Sequence, residues 1–78
     1  MTNHSVAKAV ADEVRAEMAR QRKTQGELAD AISVNEHTAG RRLRAEVPFD
    51  VVELVRVAEW LGVSVDRLWP HSSRAVAS

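Results

Sequence analysis

Residues 24–44 read TQGELADAISVNEHTAGRRLR, and this stretch decides the fold. It divides into two short helices joined by a tight turn. Thr24 and Glu27 stand in T-x-x-E spacing. That is a capping box, in which each side chain satisfies a backbone N–H left unpaired by the first helical turn. A helix is therefore expected over 25–32, with Leu28, Ala29 and Ile32 facing inward. Ser33-Val34 is the turn. Asn35 caps a second helix over 36–44. Val34 and Ala39 flank that cap as a hydrophobic staple, and Ala39 with Leu43 forms the inward face. The outer face carries Glu36, His37, Arg41 and Arg44. Gly40 in a helix interior costs about 1 kcal/mol relative to Ala, so its presence points to a close approach.

Such a pair is too small to bury its own apolar face, and the flanking chain is read as its support. Upstream, Val6, Val10, Val14 and Met18 recur every four residues, with Ala7 and Ala11 beside them. That spacing predicts an amphipathic helix over 5–22, with residues 1–4 loose. Downstream, Pro48 ends a connector. Asp50 and Glu53 form a second box, with Phe49 and Leu54 as its staple. The fourth helix runs to Leu61 and buries Leu54, Ala58 and Leu61, with Val51 and Val55 beside them. Gly62 closes it in a left-handed conformation. Ser64 caps a short fifth helix to Trp69, which buries Val65 and Leu68, and Pro70 stops it. No strand or internal repeat is legible. The expectation is one all-α, five-helix domain over 1–78, ordered over about 5–69, with a flexible tail over 70–78.

The chain has 78 residues and no Cys, which excludes disulfides and thiolate metal sites. His4, His37 and His71 show no ligand spacing, so no metal or cofactor is expected. No apolar run reaches the roughly 18 residues of a membrane span, and no signal peptide opens the chain. A cytoplasmic protein without a membrane partner is expected. There are no paired carboxylates in a plausible cleft, no Ser/His/Asp set and no Gly-rich phosphate loop. A chain this small has little room for a pocket, so neither enzymatic activity nor a small-molecule substrate is expected.

Net charge is zero, but its distribution is uneven. Residues 15–44 carry seven bases against four acids, a local +3, and the flanks carry −1 and −2. Attraction to phosphate is set by local charge, within a Debye length of about 8 Å at physiological salt.

At these residues the chain resembles a known family. TQGELADAISVNEHTAGRRLR is similar to the helix-turn-helix of the XRE/Cro and lambda-repressor-like DNA-binding proteins. PFDVVELVRVAEWLGVSVDRL resembles their fourth and fifth helices, and the likeness covers about residues 10–69. Ser33 stands where the family commonly has Gly, and Arg42 where it often has an apolar residue.

The resemblance implies that the second helix of the motif enters the major groove of double-stranded operator DNA. It implies a DNA-binding set of Gln25, Asn35, Glu36, His37, Thr38, Gly40, Arg41, Arg42 and Arg44. Arg41 would grip guanine O6 and N7. Gln25 would meet a phosphate and brace the reading helix. Arg22, Lys23, Thr24 and Arg42 would hold phosphates, which position without reading sequence. The implied function is transcriptional regulation of the phage Cro or small-repressor type. Two alternatives stay open. One is a chromosomal XRE regulator or antitoxin acting with a protein partner. The other is a helix-turn-helix used only for protein contacts. Trp60 and Trp69 have two readings: Trp69 closes the base of the core, or the two form a homodimer patch, because exposed Trp is enriched at interfaces.

Overall fold

Both capping boxes form in the computed structural model, which describes residues 2–70, with side chains from Ser5 onward. Thr24 Oγ1 accepts from the Glu27 N–H at 3.1 Å, and Glu27 Oε1 accepts from the Thr24 N–H at 2.7 Å. Asp50 and Glu53 repeat the arrangement at 2.7 and 3.1 Å. Asn35 Oδ1 accepts from the Thr38 N–H at 2.7 Å. These start signals set the element order: α1 Thr2–Gln21, α2 Gln25–Ile32, α3 Glu36–Leu43, α4 Val51–Leu61 and α5 Val65–Leu68. The described residues are all-α, with no strand. Four boundaries differ from expectation, and α1 and α3 each end one residue early, at Gln21 and Leu43. α1 begins at Thr2, ahead of Ser5, and α5 ends at Leu68, with Ser64 making no side-chain cap bond. The expectation of a flexible tail falls, from His71 on, outside the described residues.

The first four helices end alike. Just past α1, α2 and α4 stands a left-handed residue, Arg22 (φ 58°), Ser33 (φ 61°) and Gly62 (φ 72°), and after α3 it is Ala45 (φ 61°), one place beyond the Arg44 cap. The N–H after it then reaches back to a carbonyl of the last turn. The bonds are Lys23 to Met18, Val34 to Ala29, Glu46 to Arg41 and Val63 to Ala58, each 2.9–3.0 Å. This is the Schellman closure, which satisfies orphan carbonyls. Only one of the four positions has the residue type that adopts it without strain, because a Cβ costs roughly 1–2 kcal/mol in this region. A Cβ on Gly62 would meet nothing within 4 Å. Gly62→Ala is therefore expected to cost only the backbone term, about 1 kcal/mol. Ser33→Gly is expected to add a few tenths to 1 kcal/mol, since relief of strain is partly offset by glycine's entropy. Urea midpoints check both. A Gly62→Ala chain as stable as wild type would refute the strain argument.

Every helix contributes to one core. Val10, Val14 and Met18 of α1 meet Leu28, Ala29 and Ile32 of α2, Ala39 and Leu43 of α3, Leu54, Val57, Ala58 and Leu61 of α4, and Leu68 of α5. The inward register of α4 corrects the expectation. Val57 is fully buried, whereas Val51, Val55 and, on α5, Val65 are exposed. The stretch VVELVRVAEWL offers two apolar stripes, and the core takes the one through Leu54, Val57, Ala58 and Leu61.

Side-chain bonds fix α3 at both ends. Gln25 Nε2 of α2 donates to the Glu36 carbonyl at 3.0 Å. Arg15 of α1 donates to the Leu43 carbonyl at 2.8 Å, as suits a cation at a helix C-terminus. A polar tie closes the opposite side. The buried Glu17 of α1 accepts from Gln21 at 2.9 Å and from Arg20 at 2.8 Å, and Gln21 also donates to the Leu61 carbonyl at 2.8 Å. The hydrogen bonds from Gln21 and Arg20 hold the Glu17 carboxyl below the usual carboxylate range.

Candidate nucleic-acid interface

α3 turns Ala39 and Leu43 into the core and leaves Glu36, His37 and Arg41 exposed. Arg44, the cap just past the helix, is exposed as well. The amphipathic division read from the sequence is thus present, and the outward side chains of α3 stay open to solvent. The second helix of a helix-turn-helix needs this combination: a buried side that fixes its angle and a bare side that can enter a groove.

The other predicted residues divide by what they touch. Asn35 is exposed, but its side-chain oxygen is taken by the Thr38 N–H. Thr38 is half-buried in the first turn of α3. The Glu36 carboxylate lies over Gly26 of α2, 3.7 Å from where a Cβ on that residue would stand. Thr24 and Gln25 open α2, and Gln25 bonds α3 as foreseen. Arg22 is exposed and makes no ion pair among the described residues, and Lys23 lies 5.4 Å from the centre of the Trp60 ring.

Two positions require correction. Gly40 is buried, and its close approach is to the protein itself. A Cβ there would stand 2.9 Å from Gln25 Nε2 and 3.0 Å from an Arg44 guanidinium nitrogen. Gly40 thus makes room for the Gln25 brace rather than for a base. Arg42 was expected on phosphate, but it points back toward α4. Its Nε and one terminal nitrogen reach the two Glu53 oxygens at 2.8 and 3.1 Å, with the two side chains only 16% and 10% exposed. The fork geometry of guanidinium and carboxylate favours this pairing over a solvated one. The Arg42 hydrogen bonds keep the Glu53 carboxyl below its ordinary range.

Two residues that the sequence did not single out bear on the site. Arg15 caps the end of α3, as described above. Glu46 contacts both outward arginines, with its oxygens 2.7 Å from Arg44 Nε and 3.6 Å from Arg41 Nε. The Arg44 hydrogen bond, helped by the charges of Arg44, Arg41 and His37, holds the Glu46 carboxyl below the usual range. Neither contact follows a helical spacing, so no sequence pattern signals it.

The two tryptophans line different depressions. Trp60 packs against the core and lies under Lys23, beside a depression lined by Glu27, Asp30 and Ala31. Trp69 is 45% exposed. It edges a separate apolar groove of about 480 Å³ with Val6, Phe49, Val51 and Leu54. No group of three His, Cys, Asp or Glu among the described residues is placed to hold a metal, and no helix there is long and apolar enough to cross a membrane.

Residues 2–78 match the family model described as the BetR domain. Among solved structures, the clp gene regulator ClgR from Corynebacterium glutamicum is similar with a TM-score of 0.78 at 24% identity, over 91% of this chain and 76% of that chain. The hydroxypropylphosphonic acid epoxidase from S. wedmorenis is similar with a TM-score of 0.74 at 20% identity, over 83% of this chain. The match spans 35% of the epoxidase chain. At these identities the two likenesses show the fold alone. No curated protein sequence matches the chain significantly.

Proposed function

This chain belongs to the BetR domain family, a helix-turn-helix type of regulator domain, and on that premise we propose that it regulates transcription by setting α3 in the major groove of double-stranded operator DNA. The observation that carries this reading is the division of α3. Ala39 and Leu43 are held in the core, while His37 and Arg41 face solvent. Arg41 is the reader, because a guanidinium can meet guanine O6 and N7 together. Arg22, Lys23 and Arg44 hold phosphates, and Gln25 sets the angle of α3. A small repressor of the Cro kind is the narrower form of this reading, supported by the motif resemblance. A binding module rather than an enzyme is proposed, and no cofactor is assigned. The exposed Trp69 beside its apolar groove favours a second copy of the chain as a partner, because such patches are enriched at interfaces.

Sedimentation of the protein, alone and with a labelled duplex from beside its own gene, tests both parts across a salt series. Log affinity is expected to fall linearly with log salt at a slope near −3 per copy, about −0.9 for each of three neutralised phosphates. No binding at low salt would overturn the regulator reading. A free protein that stays monomeric at every accessible concentration would remove the second copy.

A further inference from the structure

Glu46 stands between the two arginines on the outer side of the α3 end. Its place is set by the backbone rather than by chance. Ala45 turns left-handed, and the Glu46 N–H then donates to the Arg41 carbonyl at 3.0 Å. The next residue, Val47, reaches the same carbonyl at 3.4 Å. The chain is therefore folded back against the helix end, and the carboxylate is delivered to the outer face. Arg44 Nε lies 2.7 Å from one of its oxygens and Arg41 Nε 3.6 Å from the other. All three side chains remain about half exposed, so a duplex can reach each of them.

We propose that Glu46 is a specificity-determining residue, an internal counter-ion that competes with phosphate for Arg41 and Arg44. This rests on the reading of α3 as the helix that meets DNA. A lone phosphate offers an arginine little more than Glu46 already does, a charge-assisted bond from one guanidinium. On an arbitrary duplex, where Arg41 has only phosphate to turn to, that contact also brings a second anion close to the carboxylate, which repels it. A guanine edge differs. It presents two neutral acceptors, and a guanidinium has five N–H groups, so Arg41 can engage O6 and N7 while keeping its ion pair with Glu46. Glu46 thus weakens attachment to an arbitrary duplex more than attachment to the correct one, which is specificity gained by a built-in repulsive element. It also pre-orients the two arginines along the face of α3 before DNA arrives.

The test compares wild type, Glu46→Gln and Glu46→Asp on two duplexes, by fluorescence anisotropy over a salt series. One duplex is enriched from a random library by the wild-type protein, and the other is its shuffled counterpart. Glu46→Gln removes the charge and keeps the size. It is expected to bind the shuffled duplex about five- to tenfold more tightly and the selected one at most about twofold more tightly, with a salt slope steeper by roughly one phosphate. Glu46→Asp keeps the charge but shortens the reach, so it is expected to lose part of the discrimination as well. Melting curves should match wild type, since the contact is exposed.

Equal tightening on both duplexes by Glu46→Gln, with Glu46→Asp like wild type, would reduce Glu46 to a uniform repulsion and overturn the proposal. Binding by Glu46→Gln indistinguishable from wild type would overturn it outright. Failure of wild type to bind either duplex would instead bring down the DNA reading, and the proposal with it.

Discussion

Replacing Arg42 with Ala is expected to destabilise the protein by about 2–3 kcal/mol. The figure lies between the roughly 1 kcal/mol ceiling of an exposed pair and the 3–5 kcal/mol lost when one member of a buried pair is removed. The side chains of Arg42 and Glu53 are 16% and 10% exposed, closer to the buried case. Without the guanidinium, Glu53 keeps its bond to the Asp50 N–H but faces the α3–α4 junction as an unpaired carboxylate. For a domain of this size, such a loss corresponds to a fall in Tm of about 10–15 °C. Glu53→Gln keeps the cap geometry and removes only the charge, so it should cost less.

The pH dependence follows from the direction of the Glu53 shift. Its carboxyl is held below the ordinary range in the folded chain, chiefly by the Arg42 hydrogen bonds. The stabilisation it gives is present above the unfolded value, about 4.3 for Glu. It is lost as pH falls through the lower folded value. Wild type should therefore lose stability on acidification below about pH 4–5, and Arg42→Ala should lose less of it over the same window. Urea midpoints at pH 7 and pH 3.5 measure both effects. Equal midpoints for the two proteins at pH 7 would mean that the pair holds nothing together.

Arg41→Ala is expected to leave folding intact and to weaken binding to the selected duplex by about 1–3 kcal/mol, or roughly 5- to 150-fold, the worth of one bidentate base contact. The side chain is 47% exposed, and its ion pair with Glu46 is long at 3.6 Å. Little stability is therefore at stake. Binding to a shuffled duplex should fall only by the few-fold expected from one missing charge. That asymmetry separates a reading residue from a positioning one. Equal losses on both duplexes would assign Arg41 to phosphate.

These two neighbours mark what the sequence could and could not disclose. Capping is local, so Thr24 with Glu27, Asn35, and Asp50 with Glu53 declare the starts of α2, α3 and α4 within four residues each. The inward face of α3 is equally legible, because a helix with only Ala39 and Leu43 apolar beyond its cap has one way to turn. Helix ends are less so. Gly62 announces a left-handed residue, whereas Arg22, Ser33 and Ala45 adopt the same conformation with no sign in their chemistry. The face of α4 was ambiguous because apolar residues cover most of its surface, and only packing against the other helices chooses Val57 over Val51. Arg42 and Glu53 sit 11 positions apart on different helices, and no spacing rule connects them. The same holds for Gln25 over Gly40. There the cost of a mid-helix glycine signalled a close approach but could not name the neighbour.

Backbone amide shifts on adding the selected duplex test most directly whether α3 is the surface that meets DNA. The largest changes should fall on residues 35–44, together with the α1–α2 junction around Arg22–Gln25. Changes concentrated instead on α4, α5 and the groove beside Trp69, with the amides of α3 unmoved, would contradict it.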